Sequence, residues 1–396
     1  MAADNTSLDA DFLQADFPQV NPDDASGIGL CTKRPDLQGD RPPGLIDLRR
    51  YMLQMGMSGI QTFMQAPVAL TQDDLRAAGV DVAFMGVGTD MQYGRRGAAF
   101  GPQWIRSSEI YMPPGYPVPH QYTRVNALEH LTLCDYGDAG VNPQSLYHSI
   151  EPIRALVREV AETGAIPFII GGDHAIMYPH AAGLADVYGP GNVAVVHLDA
   201  HYDATDVGLG MSFTHGTGVR RLVEAGLVRP DQWIIAGYRG YAPNDPDLKW
   251  MTDRGIRLHG MAQVQKYGWE QVVDWVLEEA ADEVEHLYIT IDVDVFDPAY
   301  AIGTGTPEPG GLTSAQVFQL VRRLCAEKHL VGIDIVEVNP FMDPTNMTAQ
   351  VINRLMREAL TGIAMHKMGL TEADYLSPDA TDPNGAPGSG SASRPQ

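Results

Sequence analysis

Cysteine is scarce in this chain: three in 396 residues, Cys31, Cys134 and Cys325, with no Cys-x-x-Cys pairing. That argues against a disulfide framework or a zinc ribbon and fits a reducing cytoplasm. Positive charge is scarce too, with 27 Lys and Arg against 50 Asp and Glu, a net formal charge of −23. Nucleic acid and anionic membranes both demand a basic footprint, so neither is an expected partner. A small cationic substrate suits the charge better. No apolar run reaches ~18 residues, so no membrane span is expected. The opening stretch, MAADNTSLDADFLQADFPQV, is acidic where a signal peptide is basic and then apolar. A cytoplasmic location is the expectation.

With 44% hydrophobic residues and 19% charged, the chain can bury a sizeable core. Residues 1–45 are rich in Asp, Pro and Gly and read as an extended arm, lying over a neighbouring subunit. Residues 46–376 read as one catalytic domain, and 377–396 as a disordered tail without large apolar residues. Between the ends, β-rich runs cover 81–87, 131–137, 165–172, 192–200, 232–238, 286–295 and 329–338. Helical patterns cover 149–164, 216–226, 269–284 and 313–328. Continuous apolar strands separated by helices predict a mainly parallel sheet covered on both faces, with ligands beyond the carboxyl ends of its strands.

Three polar clusters fall at that end. In HLDAHYD (197–203), His197, Asp199, His201 and Asp203 occupy every second position, which in an extended strand is one face. Carboxylates and imidazoles packed that closely call for a cation among them, the alternative being a solvated strand edge. His197 lies deepest and reads as a core residue or one that backs a ligand. In FIIGGDHAIMYP (168–179), Asp173 and His174 follow a tight Gly-Gly turn, with a simple helix N-cap at Asp173 as the alternative. In YITIDVDVFDP (288–298), Asp292 and Asp294 alternate at a strand end, while Asp297 before Pro298 fixes the turn. The spacing lacks the Gly and distant Glu of an EF-hand. Four Asp and two His are too many for one tetrahedral zinc. With two carboxylates bridging, they suit two divalent ions of the harder kind, Mn²⁺ or Ni²⁺.

These motifs resemble the signatures of the ureohydrolases, the arginases, agmatinases and their relatives. GGDH, DAHYD and DVDVFDP occur in the right order, and DMQYGRRGAAFGPQWIR (90–106), THGTGVRRLVEAG (214–226) and DIVEVNP (334–340) extend the match over residues 75–370. The resemblance implies a three-layer α/β/α sandwich, two Ni²⁺ or Mn²⁺ ions per subunit, and trimers or hexamers. It implies hydrolysis of a guanidino group, by attack of a hydroxide bridging the ions. Carried over by residue, one ion is held by His174, Asp199, Asp203 and Asp292. The other is held by Asp199, His201, Asp292 and Asp294, with Asp199 and Asp292 bridging. His215 matches the proton-shuttling histidine, and Glu337 the carboxylate that grips the guanidinium. Asp294 or His215 protonates the leaving amine.

Arginases hold their substrate's amino-acid head with an Asn where this chain has Thr205. The arm and QTFMQAPVALTQDDL (61–75) look more like the branch of guanidine and biguanide (metformin-type) hydrolases, some of which pair with a homologous subunit. A small guanidine or biguanide is therefore the expected substrate. Agmatine or a guanidino acid is the alternative, as is a non-catalytic partner of an active homologue. Met211, Ser212 and Phe213, together with Tyr202, are expected to offer apolar surface near the pocket.

Overall fold

A computed structural model of the chain describes residues 37–50, 58–108, 118–241 and 243–372. Cys31, most of the proposed arm and the tail from residue 377 lie outside them. The described end of the arm packs on its own chain. Arg41 pairs with Asp74 at 2.7 Å, and Ile46 bridges to Val68.

Eight strands form one sheet: β1 (Val82–Val87), β2 (Leu133–Asp138), β3 (Ile166–Gly171), β4 (Val193–Leu198), β5 (Trp233–Ala236), β6 (Arg257–His259), β7 (His286–Asp292) and β8 (His329–Val336). Their order is β2-β1-β3-β8-β7-β4-β5-β6, and every pairing is parallel. Alternate side chains feed the two faces. Phe168, Ile170, Val196 and Ile289 join a core with the helices Trp269–Glu279, Ser314–Glu327 and Met347–Lys367. Ile169, Val195 and Tyr288 join another with Tyr147–Ala161, Met177–Tyr188 and Gly218–Glu224. The expected α/β/α sandwich is what the chain forms. Among the described residues, no helix is long and apolar enough to cross a membrane.

Several expected strands end early, and two of these early ends shape the site. The run 192–200 leaves the sheet after Leu198, and 286–295 breaks at Asp292 into the single turn Val293–Val295. Strand alternation is therefore not what gathers Asp199, His201 and Asp203, or Asp292 and Asp294. Local turns do it instead. Asp199 Oδ1 accepts from the His201 N–H at 2.6 Å, and Asp292 Oδ1 from the Asp294 N–H at 2.8 Å. The helix expected over 269–284 stops at Glu279, and Ala281 turns to a positive φ of 52°.

Candidate active site

The carboxyl ends of β3, β8, β7 and β4 are adjacent, and each delivers part of one buried cluster. Beyond β3 the chain turns through Gly171-Gly172. A Cβ on Gly172 would lie 1.9 Å from the Thr89 carbonyl oxygen, so only glycine fits there. His174 follows, fully buried. Its Nδ1 lies 3.1 Å from Asp199 Oδ2, 3.0 Å from Asp203 Oδ2 and 3.5 Å from Asp292 Oδ2. None of these oxygens is aligned as a hydrogen-bond acceptor, so Nδ1 is a buried polar atom without a hydrogen-bond partner. The imidazole nitrogen thus faces three carboxylates, of which Asp199 and Asp203 form the tight group of donor atoms with it and Asp292 stands at its side. His201 Nδ1 lies 3.0 Å from Asp294 Oδ2 and 3.5 Å from Asp199 Oδ1, so the two oxygens of Asp199 face two different groups.

The far side of His174 explains its orientation. Its Nε2 bonds Thr290 Oγ1 at 2.8 Å, and the Thr290 hydroxyl donates to Asp334 Oδ1 at 2.7 Å. A carboxylate only accepts, so the threonine oxygen receives the His174 Nε2–H. Nδ1 is then the nitrogen turned to the acidic cluster, and the neutral ring can offer its lone pair there to a cation. Asp334 is fully buried and is held below the ordinary carboxylate range: His180, at 2.7 Å, outweighs the opposing effect of burial. Tyr288 also donates to it.

Electrostatics make the same demand. Burial, then Asp294 and Asp199, push the Asp292 carboxyl well up. Burial and Asp199 push Asp294 up as well. Asp199 is held well down, because His174, His197 and His201 overcome its burial. Carboxylates packed this deeply are costly without a cation. The oxygen-rich donor set with two imidazoles fits divalent ions. His197 sits behind Asp199, with Nε2 2.8 Å from Oδ2 and its ring edge-on to His174. It lies close enough to be counted with His174, Asp199 and Asp203 as a fourth donor. Its bond to Asp199 from within β4 favours a backing role.

His215 and Glu337 meet beside the cluster, with Nδ1 3.4 Å from Oε1. The Tyr93 backbone N–H donates to His215 Nε2 at 3.1 Å, so the imidazole proton sits on Nδ1, towards Glu337. Glu337 is buried at the end of β8 with φ 61°, and Asp203 has φ 44°. Left-handed backbone at non-glycine residues is strained and collects at functional sites. Burial pushes Glu337 up to about 7, against the pull of His215. Its Oε1 accepts from the His174 N–H at 3.0 Å, while the buried Oε2 has no hydrogen-bond partner.

The structure corrects two expectations and adds residues. Asp173 caps no helix; its buried carboxylate accepts from the Met91 N–H at 2.5 Å and so fixes the 90s loop. Tyr202 does not line the pocket, because its hydroxyl bonds Thr205 and Asp247. Asp297 does fix a turn, accepting from Ala299, Gly310 and Gly311. Arg239 was not singled out in the sequence. Its guanidinium donates to the carbonyls of Asp294, Val295 and Phe296 and so clamps the turn that carries Asp294. No local pattern marks it, because its partners are backbone atoms some 55 residues away.

A cavity of about 440 Å³ is lined by Tyr93 and Thr214, which neighbour His215, while neither His215 nor Glu337 lines it. Met91, Leu146, Tyr147, Met211 and Phe213 supply apolar walls. Ser212 is not among the lining residues. Arg96 is exposed, and among the described residues no Asp or Glu lines the space.

Comparison with known proteins agrees with this architecture. The arginase family matches residues 80–362. A mitochondrial agmatinase of Gallus gallus is 36% identical over 305 residues, 76% of this chain and 85% of that protein. A guanidinopropionase of Pseudomonas aeruginosa is 36% identical over 310 residues, 78% of this chain and 92% of that one. The proclavaminate amidino hydrolase structure from Streptomyces clavuligerus superimposes with a TM-score of 0.69 at 30% identity, covering 79% of this chain and 100% of its own. With its fold, its signatures and these relatives in agreement, the chain belongs to the arginase family and is a hydrolase.

Proposed function

We propose that the chain hydrolyses a C–N bond of a small guanidine or biguanide. Guanidine would give urea and ammonia, and a dimethylbiguanide would give guanylurea and dimethylamine. His174, Asp199, Asp203 and Asp292 would hold one divalent ion, and Asp199, His201, Asp292 and Asp294 the second, nickel or manganese. Bound there, the ions supply the Lewis acidity that makes water nucleophilic at neutral pH.

The rest falls to the protein's own groups. Glu337 Oε2, buried and without a hydrogen-bond partner, receives a guanidinium N–H. The arriving cation favours the charged carboxylate, countering the burial that raises it. Asp294, pushed up by burial and Asp199, takes the proton released by the attacking water. As the imidazolium, a form that Glu337 favours against the effect of burial, His215 gives a proton to the departing nitrogen and returns to the neutral ring, since an amine leaves poorly as an anion.

The observation that carries the substrate reading is the cavity wall. The agmatinase relative is as similar as the guanidinopropionase, so resemblance does not decide between them. Agmatine and arginine bring a second cationic group, and among the described residues no carboxylate lines the cavity to meet it. Burying an ammonium without a partner is unfavourable by kcal/mol amounts. A compact guanidine or alkylated biguanide brings no such group. Arg96, one of the lining residues, favours a second reading, in which the carboxylate of a guanidino acid reaches it. Turnover of the nickel- and manganese-loaded protein on a guanidine panel, with urea and amine both measured, tests both. Guanidine or dimethylbiguanide should exceed arginine and agmatine in kcat/KM by at least about tenfold, or ~1.4 kcal/mol. Preference for agmatine overturns both readings, and preference for a guanidino acid selects the second.

A further inference from the structure

At the opposite end of the sheet, the amino-terminal residues of β7 and β8 place two histidines side by side. His286 and His329 are register partners, so in a parallel pair their side chains leave on one face. Their Nδ1 atoms lie 3.2 Å apart. Glu285 follows the same edge, with Oε1 3.8 Å from His329 Nδ1. The three ligand atoms fall within 4.8 Å of one another. From this geometry we infer a peripheral binding site for a transition-metal dication, separate from the cluster at the carboxyl ends.

Three observations support the site. Zn–N bonds of about 2.0–2.1 Å at a tetrahedral angle separate two nitrogens by about 3.3–3.4 Å, close to the spacing found here. Without a cation the two neutral rings share a single N–H···N bond, one Nδ1 donating to the other, so only one lone pair is used, whereas a cation between them takes both. The rings are also held in place before any ion arrives. His286 packs against Tyr188 at 4.5 Å between ring centres, and His329 lies parallel to His366 at 6.2 Å. The His366 ring is itself fixed by a bond from Nδ1 to the Ala326 carbonyl at 3.0 Å. A site that is already ordered loses little side-chain freedom on binding.

Glu285 is mostly exposed and His329 is about half exposed, so the remaining coordination positions face water. Two imidazoles and one carboxylate select borderline ions, Zn²⁺ or Ni²⁺, over Mg²⁺ or Ca²⁺. Six residue steps along β7, at ~3.3 Å each, put the site about 20 Å from Asp292. It can therefore be altered without touching the catalytic cluster.

The test is a metal count on the full chain dialysed against micromolar NiSO₄, compared with His329→Ala and His286→Gln. Each variant should hold one nickel ion fewer per chain than the unsubstituted protein. Hydrolysis of the best guanidine on the panel should be unchanged, and so should the metal count after dialysis against MnCl₂ in place of nickel. His329 is half exposed and tolerates truncation, which protects the test if His286→Gln folds poorly. Equal nickel counts in the unsubstituted protein and the His329→Ala variant would overturn the site. A fall in manganese content alongside nickel would also overturn it, by showing that the substitution reaches the catalytic cluster.

Discussion

Asp199 is the residue on which the proposed centre turns, because its two oxygens face different groups: Oδ2 lies by His174 and Oδ1 by His201. Removing it should disturb both metal sites, so Asp199→Ala should abolish turnover and lower bound metal from two ions towards one or none. Retained activity with two ions bound would refute the assignment. His215 makes a different prediction. Its contacts are Tyr93 and Glu337 rather than the carboxylates around His174. His215→Ala should therefore keep its metal while kcat falls by ~10²–10⁴. An unchanged kcat would return it to a structural role. At this scale the motifs named residues that the fold brings near one another: His174, Asp199 and Asp203 lie in one group of close donor atoms and Asp199, His201 and Asp294 in another, Asp292 stands 3.5 Å from His174, and His215 pairs with Glu337. What the motifs concealed was how they are gathered. Hydrogen bonds within turns, Asp199 to His201 and Asp292 to Asp294, replace the strand alternation that the spacing suggested.

Among the elements, the turn after β3 is the least tolerant. Gly172 passes so close to Thr89 that a methyl group would strike backbone on both its carbonyl oxygen and its nitrogen. Its own carbonyl accepts from the Glu337 N–H at 2.8 Å, tying that turn to the end of β8. Gly172→Ala should cost at least ~2 kcal/mol of stability, read from a denaturant midpoint, because backbone cannot rotate away as a side chain can. Activity should fall with it, since His174 and Glu337 flank the contact. A wild-type midpoint would show that the loop around Thr89 yields freely. The seven strands read from apolar runs are all present, because a sheet buried on both faces needs continuous apolar sequence. β6 was not among them; three residues, two of them only half-buried, leave no run to detect. The helix Met347–Lys367 was also missed. Its buried positions include Thr348, Asn353, Glu358 and Thr361, which blur the polar and apolar faces that periodicity relies on.

Glu358 in that helix connects a single carboxylate to the stability of the whole molecule. Burial alone would raise it, but His120, Arg322 and Arg354 hold it down at about 2. Arg322 lies 2.5 Å from it and Arg354 2.9 Å. A carboxyl lowered from 4.5 stabilises the fold fully above pH 4.5, and the contribution is lost as pH falls towards 2. The shift corresponds to about 3 kcal/mol. Urea midpoints measured from pH 6 to pH 2.5 should fall steeply for the unsubstituted chain. Glu358→Gln should be weaker at pH 6 and flatter below pH 4.5. Parallel curves would remove Glu358 as the source.

Strand order also constrains how the proposed centre can be completed. β8 is the last strand among the described residues, yet it lies between β3 and β7. Until it inserts, the sheet is two separate ribbons, β2-β1-β3 and β7-β4-β5-β6. Asp199, His201, Asp292 and Asp294 all belong to the second ribbon, whereas His174 belongs to the first. Under the proposed assignment, one ion can therefore be captured while the molecule is still in two halves. The other must wait for the closing strand, and Glu337, at that strand's end, arrives in the same step. Contacts this distant along the chain form slowly. A chain whose β8 has not yet inserted would thus hold an ion-binding half without a catalytic centre, and the group proposed to grip the substrate would be in place only after insertion.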